Sequence, residues 1–369
     1  MMRLYKMELY KLCHRKIFVI GAICVIGIQL ISFWSYVTDE LATVDGIRYT
    51  GYKAVQVNRR ITEEFSGILT DEKVEKIVEK YGFPQKVEEG WNYFRDGNFL
   101  NYFVMDYLSD GYMQSWTGDY KVAQNVYPIA DSDLGAVKEI TEQEIILEYY
   151  QGWYTFLEVM TTGMILGSIL ILFGISVIFA NEGQTKMMQL IFTTKEGRDK
   201  EVYAKIAAAM TVAVSVWAVI FVLDLLLCGI VFGLDGLDCY NGMVMGYLLP
   251  WPDRMIPMRS YIMEATILSF FGIVSLCATT IYVSARSRSN FHAVAIAAVY
   301  WGAPVLAAIF TDGFHGFSKI LSAAPIFMVI HEVIEDIYNI WVMPLIIAIL
   351  VSIICTIRAQ RKYSRQQVA

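Results

Sequence analysis

Residues 17–37 read Ile17-Phe-Val-Ile-Gly-Ala-Ile-Cys-Val-Ile-Gly-Ile-Gln-Leu-Ile-Ser-Phe-Trp-Ser-Tyr-Val37, and no Asp, Glu, Lys or Arg interrupts them. A hydrocarbon core about 30 Å thick needs about 20 residues of helix to cross it, so this run is long enough to span a bilayer once. A secretory signal has a shorter apolar stretch, about 7–15 residues, followed by a small-x-small cleavage site. Tyr36 and Val37 close this run instead, and it reads as a retained first span.

Five further long apolar runs follow, at 154–180, 206–232, 261–283, 291–310 and 340–357, the first three carrying one acid each, Glu158, Asp224 and Glu264. The composition agrees, with 56% hydrophobic residues, only 18% charged residues and a mean hydropathy of +0.45. A soluble domain of that composition would not stay dispersed in water. The fold class expected is therefore mainly α: a polytopic membrane protein with six transmembrane helices. The six cysteines include no C-x-x-C pair, so the spacing supports neither a disulfide framework nor a zinc site, and they read as small buried hydrophobes.

Lys and Arg near span ends favour the cytoplasm. Arg3, Lys6, Lys11, Arg15 and Lys16 precede the first span, and Lys186, Lys195, Arg198, Lys200 and Lys205 lie between the second and third. Arg286 and Arg288, in the turn 284–290, separate the fourth and fifth, and Arg358, Arg361, Lys362 and Arg365 form the tail 358–369. Both termini are expected in the cytoplasm of a cell, on a plasma or inner membrane. The opposite side then holds a large domain at 38–153, a loop at 233–260 and a loop at 311–339.

The 38–153 segment carries helix signals and is expected to be α-rich or α+β. Thr70, Asp71 and Glu72 open a helix, Val74, Ile77, Val78 and Tyr81 give it an apolar stripe, and Gly82 and Pro84 stop it. A second helix is expected to start at Thr141, with Glu144 completing a capping box. Aromatic residues between these, among them Trp91, Phe94, Phe99, Tyr102, Phe103, Tyr107, Tyr112, Trp116 and Tyr120, are expected to form mostly core. In the last loop, Ile320–Ile330 is apolar but too short to cross and is interrupted by Pro325, which suits a re-entrant or interfacial helix pair.

No G-x-x-x-x-G-K-[ST] sequence occurs, so the chain supplies no P-loop. His331 and Glu332 start an H-E-x-x-H pattern that Glu335 breaks, and no catalytic or metal-ligating set emerges. Asp224 interrupts the third span and reads either as a carboxylate on a substrate path or as a group near enough to the headgroups to reach water. Gly163 and Gly167 form a G-x-x-x-G that permits close helix approach, within the bundle or across a dimer.

Two segments resemble the permease subunits of type-2 ATP-binding-cassette exporters. Met7-Glu8-Leu9-Tyr10-Lys11-Leu12-Cys13-His14-Arg15-Lys16 is similar to that family's E-x-x-K-x-x-x-[RK]-[RK] elbow helix, in which Glu8, Lys11, Arg15 and Lys16 match. Met2, Tyr5, Leu9, Leu12 and Cys13 fall on one face of such a helix, as an interfacial helix at 1–16 requires. The segment from Phe179 to Arg198 resembles the family's coupling loop, here 181–205: Glu182, Gly183, Thr185, Leu190, Thr194, Gly197 and Arg198 are the positions carried over, and Lys195 stands where many relatives have Pro. The resemblance implies a non-enzymatic permease with no cofactor of its own. ATP and Mg would act through a cytoplasmic ATPase subunit, and a second permease copy or paralogue would complete the pathway within membrane lipid, with no nucleic acid involved. The substrate, whether peptide, antibiotic, lipid or ion, is not implied. A membrane-anchored receptor with an outer ligand-binding domain is the alternative reading, and it leaves the 182–198 loop unexplained.

Overall fold

The structure, a computed structural model, describes residues 1–88, 93–114, 119–194, 197, 199–245, 255–310, 323–330 and 341–365. It is mainly helical. Six helices among the described residues are long and apolar enough to cross a membrane: Lys16–Asp39, Gln151–Gln184, Lys200–Val231, Met258–Arg286, Asn290–Ile309 and Val342–Ser364. They are called here the first to sixth long helices.

The expected spans 17–37, 154–180 and 261–283 fall inside these helices and the other three overlap them to within one or two residues at one end, while several helices run past the apolar stretch. The third starts at Lys200 rather than 206, and the sixth continues to Ser364 rather than 357. Hydropathy marks what lipid solvates, whereas Lys, Glu, Arg and Gln are themselves good helix formers and carry the backbone pattern onward. Lys205 and Tyr363, expected in a loop and a tail, are thus helical.

The chain divides into two compact units. The first comprises Met1–Leu30, Glu158–Leu223 and Met263–Ala369. Of the six long helices, the second and fourth are central, with 72% and 61% of their most apolar stretches buried against 11–22% for the others. The G-x-x-x-G motif is used inside the chain. A Cβ at Gly163 would stand 2.5 Å from Gln29 Nε2, and one at Gly167 would stand 2.7 Å from Ile220 Cδ1. The bare glycine backbone admits the buried Gln29, whose amide donates to Val159 O at 2.7 Å. Of the loop at 311–339, residues 323–330 are described. Phe327–Val329 form one 3-10 turn, buried, and Met328 Cβ would meet a Cβ at Gly272 at 2.9 Å. The remainder of the expected re-entrant pair lies outside the described residues, as do His331, Glu332 and Glu335.

The second unit, Ile31–Leu157 with Asp224–Ile262, mixes short helices and hairpins. Leu41–Val44 pairs antiparallel with Ile47–Thr50 through Asp45-Gly46, both at positive φ, as a two-residue hairpin of this twist demands. Further two-stranded pairs join Gly67–Ile68 to Ile146–Leu147, Val87–Glu88 to Tyr93–Phe94, and Tyr112–Gln114 to Asp119–Lys121. The expected helix is present at Asp71–Tyr81: Thr70 Oγ1 accepts from Lys73 N, and Gly82 ends it at φ 64°. Its Val74 and Ile77 are buried, as are Leu100, Phe103, Val104 and Leu108 of the helix Phe99–Leu108. Each such side chain contributes roughly 1.5–3 kcal/mol by leaving water.

Two expectations are corrected in this unit. Thr141 ends a helix, Asp133–Thr141, instead of starting one. Its hydroxyl donates back to Val137 O, Glu142 adopts a left-handed conformation, and Glu144 pairs with Lys138 at 2.6 Å rather than capping. The aromatic stretch is only partly core. Phe94 and Phe103 are buried, Tyr112 and Tyr120 are about half exposed, and Phe99, Tyr102 and Tyr107 line a cleft. Trp91 and Trp116 lie outside the described residues.

Candidate functional site

At one end of the first unit, a lysine is buried among acids. Lys205 is 1% exposed, and its Nζ lies 2.6 Å from Glu182 Oε1, 3.1 Å from Glu201 Oε1 and 3.2 Å from Glu8 Oε1. Glu201 and Lys205 are one turn apart on the third long helix, so the helix itself presents that pair. Glu8 comes from the helix Met2–Cys13 and Glu182 from Val177–Gln184, the last part of the second long helix. The Tyr363 hydroxyl, near the end of the sixth helix, donates to Glu182 Oε2.

Charge balances across the group. Lys11 Nζ lies 2.5 Å from Glu8 Oε1, and the Arg15 guanidinium acts electrostatically on both Glu8 and Glu182. Three cations therefore face three carboxylates. Burial alone would raise the Glu8 carboxyl, but Lys205 and Lys11 outweigh it and hold the group below the ordinary carboxylate range. A buried charge persists only with partners of this kind, since leaving one unpaired costs several kcal/mol.

Helix Val177–Gln184 is fixed from other sides as well. The chain breaks its helix for one residue at Ser176, and the buried Ser284 Oγ of the fourth long helix accepts from Phe179 N at 3.0 Å and Ala180 N at 3.2 Å. At the start of the fifth long helix, Asn290 N donates to Gln184 Oε1 and Asn290 Nδ2 donates to Asn181 Oδ1. Lys186, in a left-handed conformation, then turns the chain into a short helix, Met187–Thr193. Phe192 anchors that helix, its ring 5.2 Å from the Tyr363 ring, and the Phe179 ring lies tilted against Tyr363 at 4.5 Å. Met187 and Leu190 remain exposed.

The residues singled out in sequence thus divide. Glu8 and Glu182 meet at Lys205, with Lys11 and Arg15 beside them. The hydroxyls of Thr185 and Thr194 donate backward, to Asn181 O and Ile191 O. Gly183 makes ordinary contacts, and Lys16 is exposed at the start of the first long helix. Gly197 is buried, and a Cβ there would sit 1.9 Å from Ile191 O, so its role is to let the loop close. Arg198 and Lys195 lie outside the described residues. On the helix Met2–Cys13, Leu12 is buried and Tyr5 donates to Thr211 Oγ1 at 3.0 Å, whereas Met2 is exposed. Asp224 is fully buried, one turn before Cys228.

Sequence reasoning missed Lys205, Glu201 and Tyr363 as members of the site. The i,i+4 spacing of Glu201 and Lys205 was the available signal; Tyr363 had none, because its partners are far away in the chain. No family model matches the chain, and neither a curated protein nor a solved structure matches it.

Proposed function

We propose that this chain is the permease subunit of an ATP-driven exporter. Two copies, or one copy and a paralogue, pair in the membrane and bind two ATPase subunits on the cytoplasmic side. The observation that carries the reading is the Lys205 cluster. It links the helix Met2–Cys13 to the ends of the second, third and sixth long helices, directly beside a short helix that offers Met187 and Leu190 outward.

An ATPase that closes on ATP would press on Met187–Thr193. The push passes through Phe192 and Tyr363 to the sixth helix and through Glu182 and Lys205 to the third, so the spans tilt together. The chain's own residues contribute docking and transmission; hydrolysis belongs to the partner. Orientation, with both termini in the cytoplasm, follows from the basic residues at this same end.

The test is native mass spectrometry of the tagged protein taken gently from its own cells, beside a Leu190→Asp variant. Gly197 is unsuited to this purpose because a side chain there breaks the loop itself. A P-loop ATPase recovered with the unaltered protein and lost with Leu190→Asp, at equal yield and melting temperature, supports the reading. A clean, folded protein with no ATPase moves the assignment to a membrane-anchored receptor.

A further inference from the structure

A cleft of about 680 Å³ opens in the second unit, where the first long helix ends at Asp39 and the second begins at Gln151. Its walls are unusual in combining Glu40 and Asp106 with the rings of Phe99, Tyr102, Phe103 and Tyr107. Among the described residues that line it, none is Lys, Arg or His.

The rings are held in place without a ligand. Tyr102 Oη accepts from Phe94 N at 2.9 Å and donates to Phe94 O at 2.8 Å, and Tyr107 Oη donates to Met243 O at 3.0 Å. The Phe99 ring lies 4.9 Å from Tyr150, and Phe103 lies 5.2 Å from Tyr107. Asn58 ties two walls together, accepting from Phe99 N and donating to Leu41 O, both at 3.1 Å. Burial pushes the Glu40 carboxyl up to about 7 despite hydrogen bonds to Asn58 and Gln151. Asp106 is exposed, so a ligand arriving from solvent meets it.

Aromatic faces carry negative potential, and carboxylates short of water gain from an arriving cation. A hard metal ion fits poorly, since it needs several oxygen ligands and the walls are mostly ring. We propose that this cleft binds an organic amine, its protonated nitrogen at Glu40 and Asp106 and its apolar body against Phe99, Tyr102, Phe103 and Tyr107. The assignment rests on the cleft alone and holds whether the chain exports its ligand or senses it.

The test uses the full chain in phosphatidylcholine nanodiscs, titrated calorimetrically with phenethylamine and with its neutral counterpart 2-phenylethanol, with empty discs subtracted. The amine is expected to bind more tightly than the alcohol by about tenfold or more, and Asp106→Asn and Glu40→Gln are each expected to remove about tenfold of amine affinity while leaving the alcohol unchanged. If Glu40→Gln lowers the melting temperature, Asp106→Asn at the exposed carboxylate decides alone. Equal affinity for amine and alcohol, amine binding indifferent to Asp106→Asn, or no heat above that of empty discs overturns the proposal.

Discussion

Replacing Tyr363 by Phe removes one oxygen from the Lys205 cluster and nothing else. The ring is fully buried against Phe179 and Phe192, at 4.5 and 5.2 Å between centroids, and Phe retains both contacts. What is lost is a hydrogen bond to the Glu182 carboxylate. Bonds to charged groups contribute about 1.5–3 kcal/mol, and because Glu182 keeps Lys205 at 2.6 Å the lower half of that range applies. With 1.4 kcal/mol to each factor of ten, local opening of the helices Val177–Gln184 and Met187–Thr193 should become about 10- to 40-fold more frequent. Amide hydrogen exchange read by mass spectrometry on nanodisc-embedded protein reports this directly. Exchange in the second unit, Ile31–Leu157, should not change. If amides 187–193 exchange at the original rate in a folded Tyr363→Phe protein, the hydroxyl does not hold this segment and the transmission path through Tyr363 is wrong.

Lys205→Met leaves three carboxylates facing one another without their central cation and should cost about 3–5 kcal/mol, seen as a lowered unfolding midpoint that Glu182→Gln partly restores in the double variant. Gly152→Ala puts a methyl 2.2 Å from Gly233 O, a backbone atom that cannot rotate away, and should destabilise by about 1–3 kcal/mol; an unchanged melting temperature would refute the close approach. The second unit should also lose stability as pH rises from about 4 to 7. Glu40 has a raised value in the folded chain, so the folded state binds more protons than the unfolded one across that window, and its contribution is complete only below it. Asp39, Tyr102, Tyr107 and Tyr150 face the same cleft, and none of them brings a positive charge to reverse the sign. Denaturant midpoints measured from pH 4 to 8 should flatten in a Glu40→Gln variant; an unaltered slope would show that this group titrates normally.

The six long helices were legible because lipid imposes one strong rule: a span must be about 20 residues long and apolar, and the rule is written in consecutive residues. Thr70 to Gly82 was legible for a similar reason, since cap, stripe and stop lie within one helix. Thr141 misled because Thr followed three residues later by Glu is a local pattern with two uses. Here the upstream Asp133 had already opened the helix, and Thr141 was spent on bonding back to Val137. The aromatic stretch misled differently. Composition says that rings avoid water, but it does not say whether they meet one another or a cleft, and Phe99–Leu108 does both on its two sides.

The candidate site shows where such reading stops. Glu8, Glu182, Lys205 and Tyr363 span almost the whole chain, and nothing in their neighbours says that they meet. An apolar cluster could join the same helices, yet dispersion is non-directional and would let one helix slide past another at little cost. Charges and hydroxyls fix direction: Lys205 offers three N–H bonds and has three carboxylates, and Glu182 divides its two oxygens between Lys205 and Tyr363. A displacement of Val177–Gln184 must therefore either carry the third and sixth helices with it or leave a buried carboxylate without a partner. The second course costs more than the first, so under the proposed function motion applied at Met187–Thr193 would be conveyed to the spans rather than absorbed in the loop.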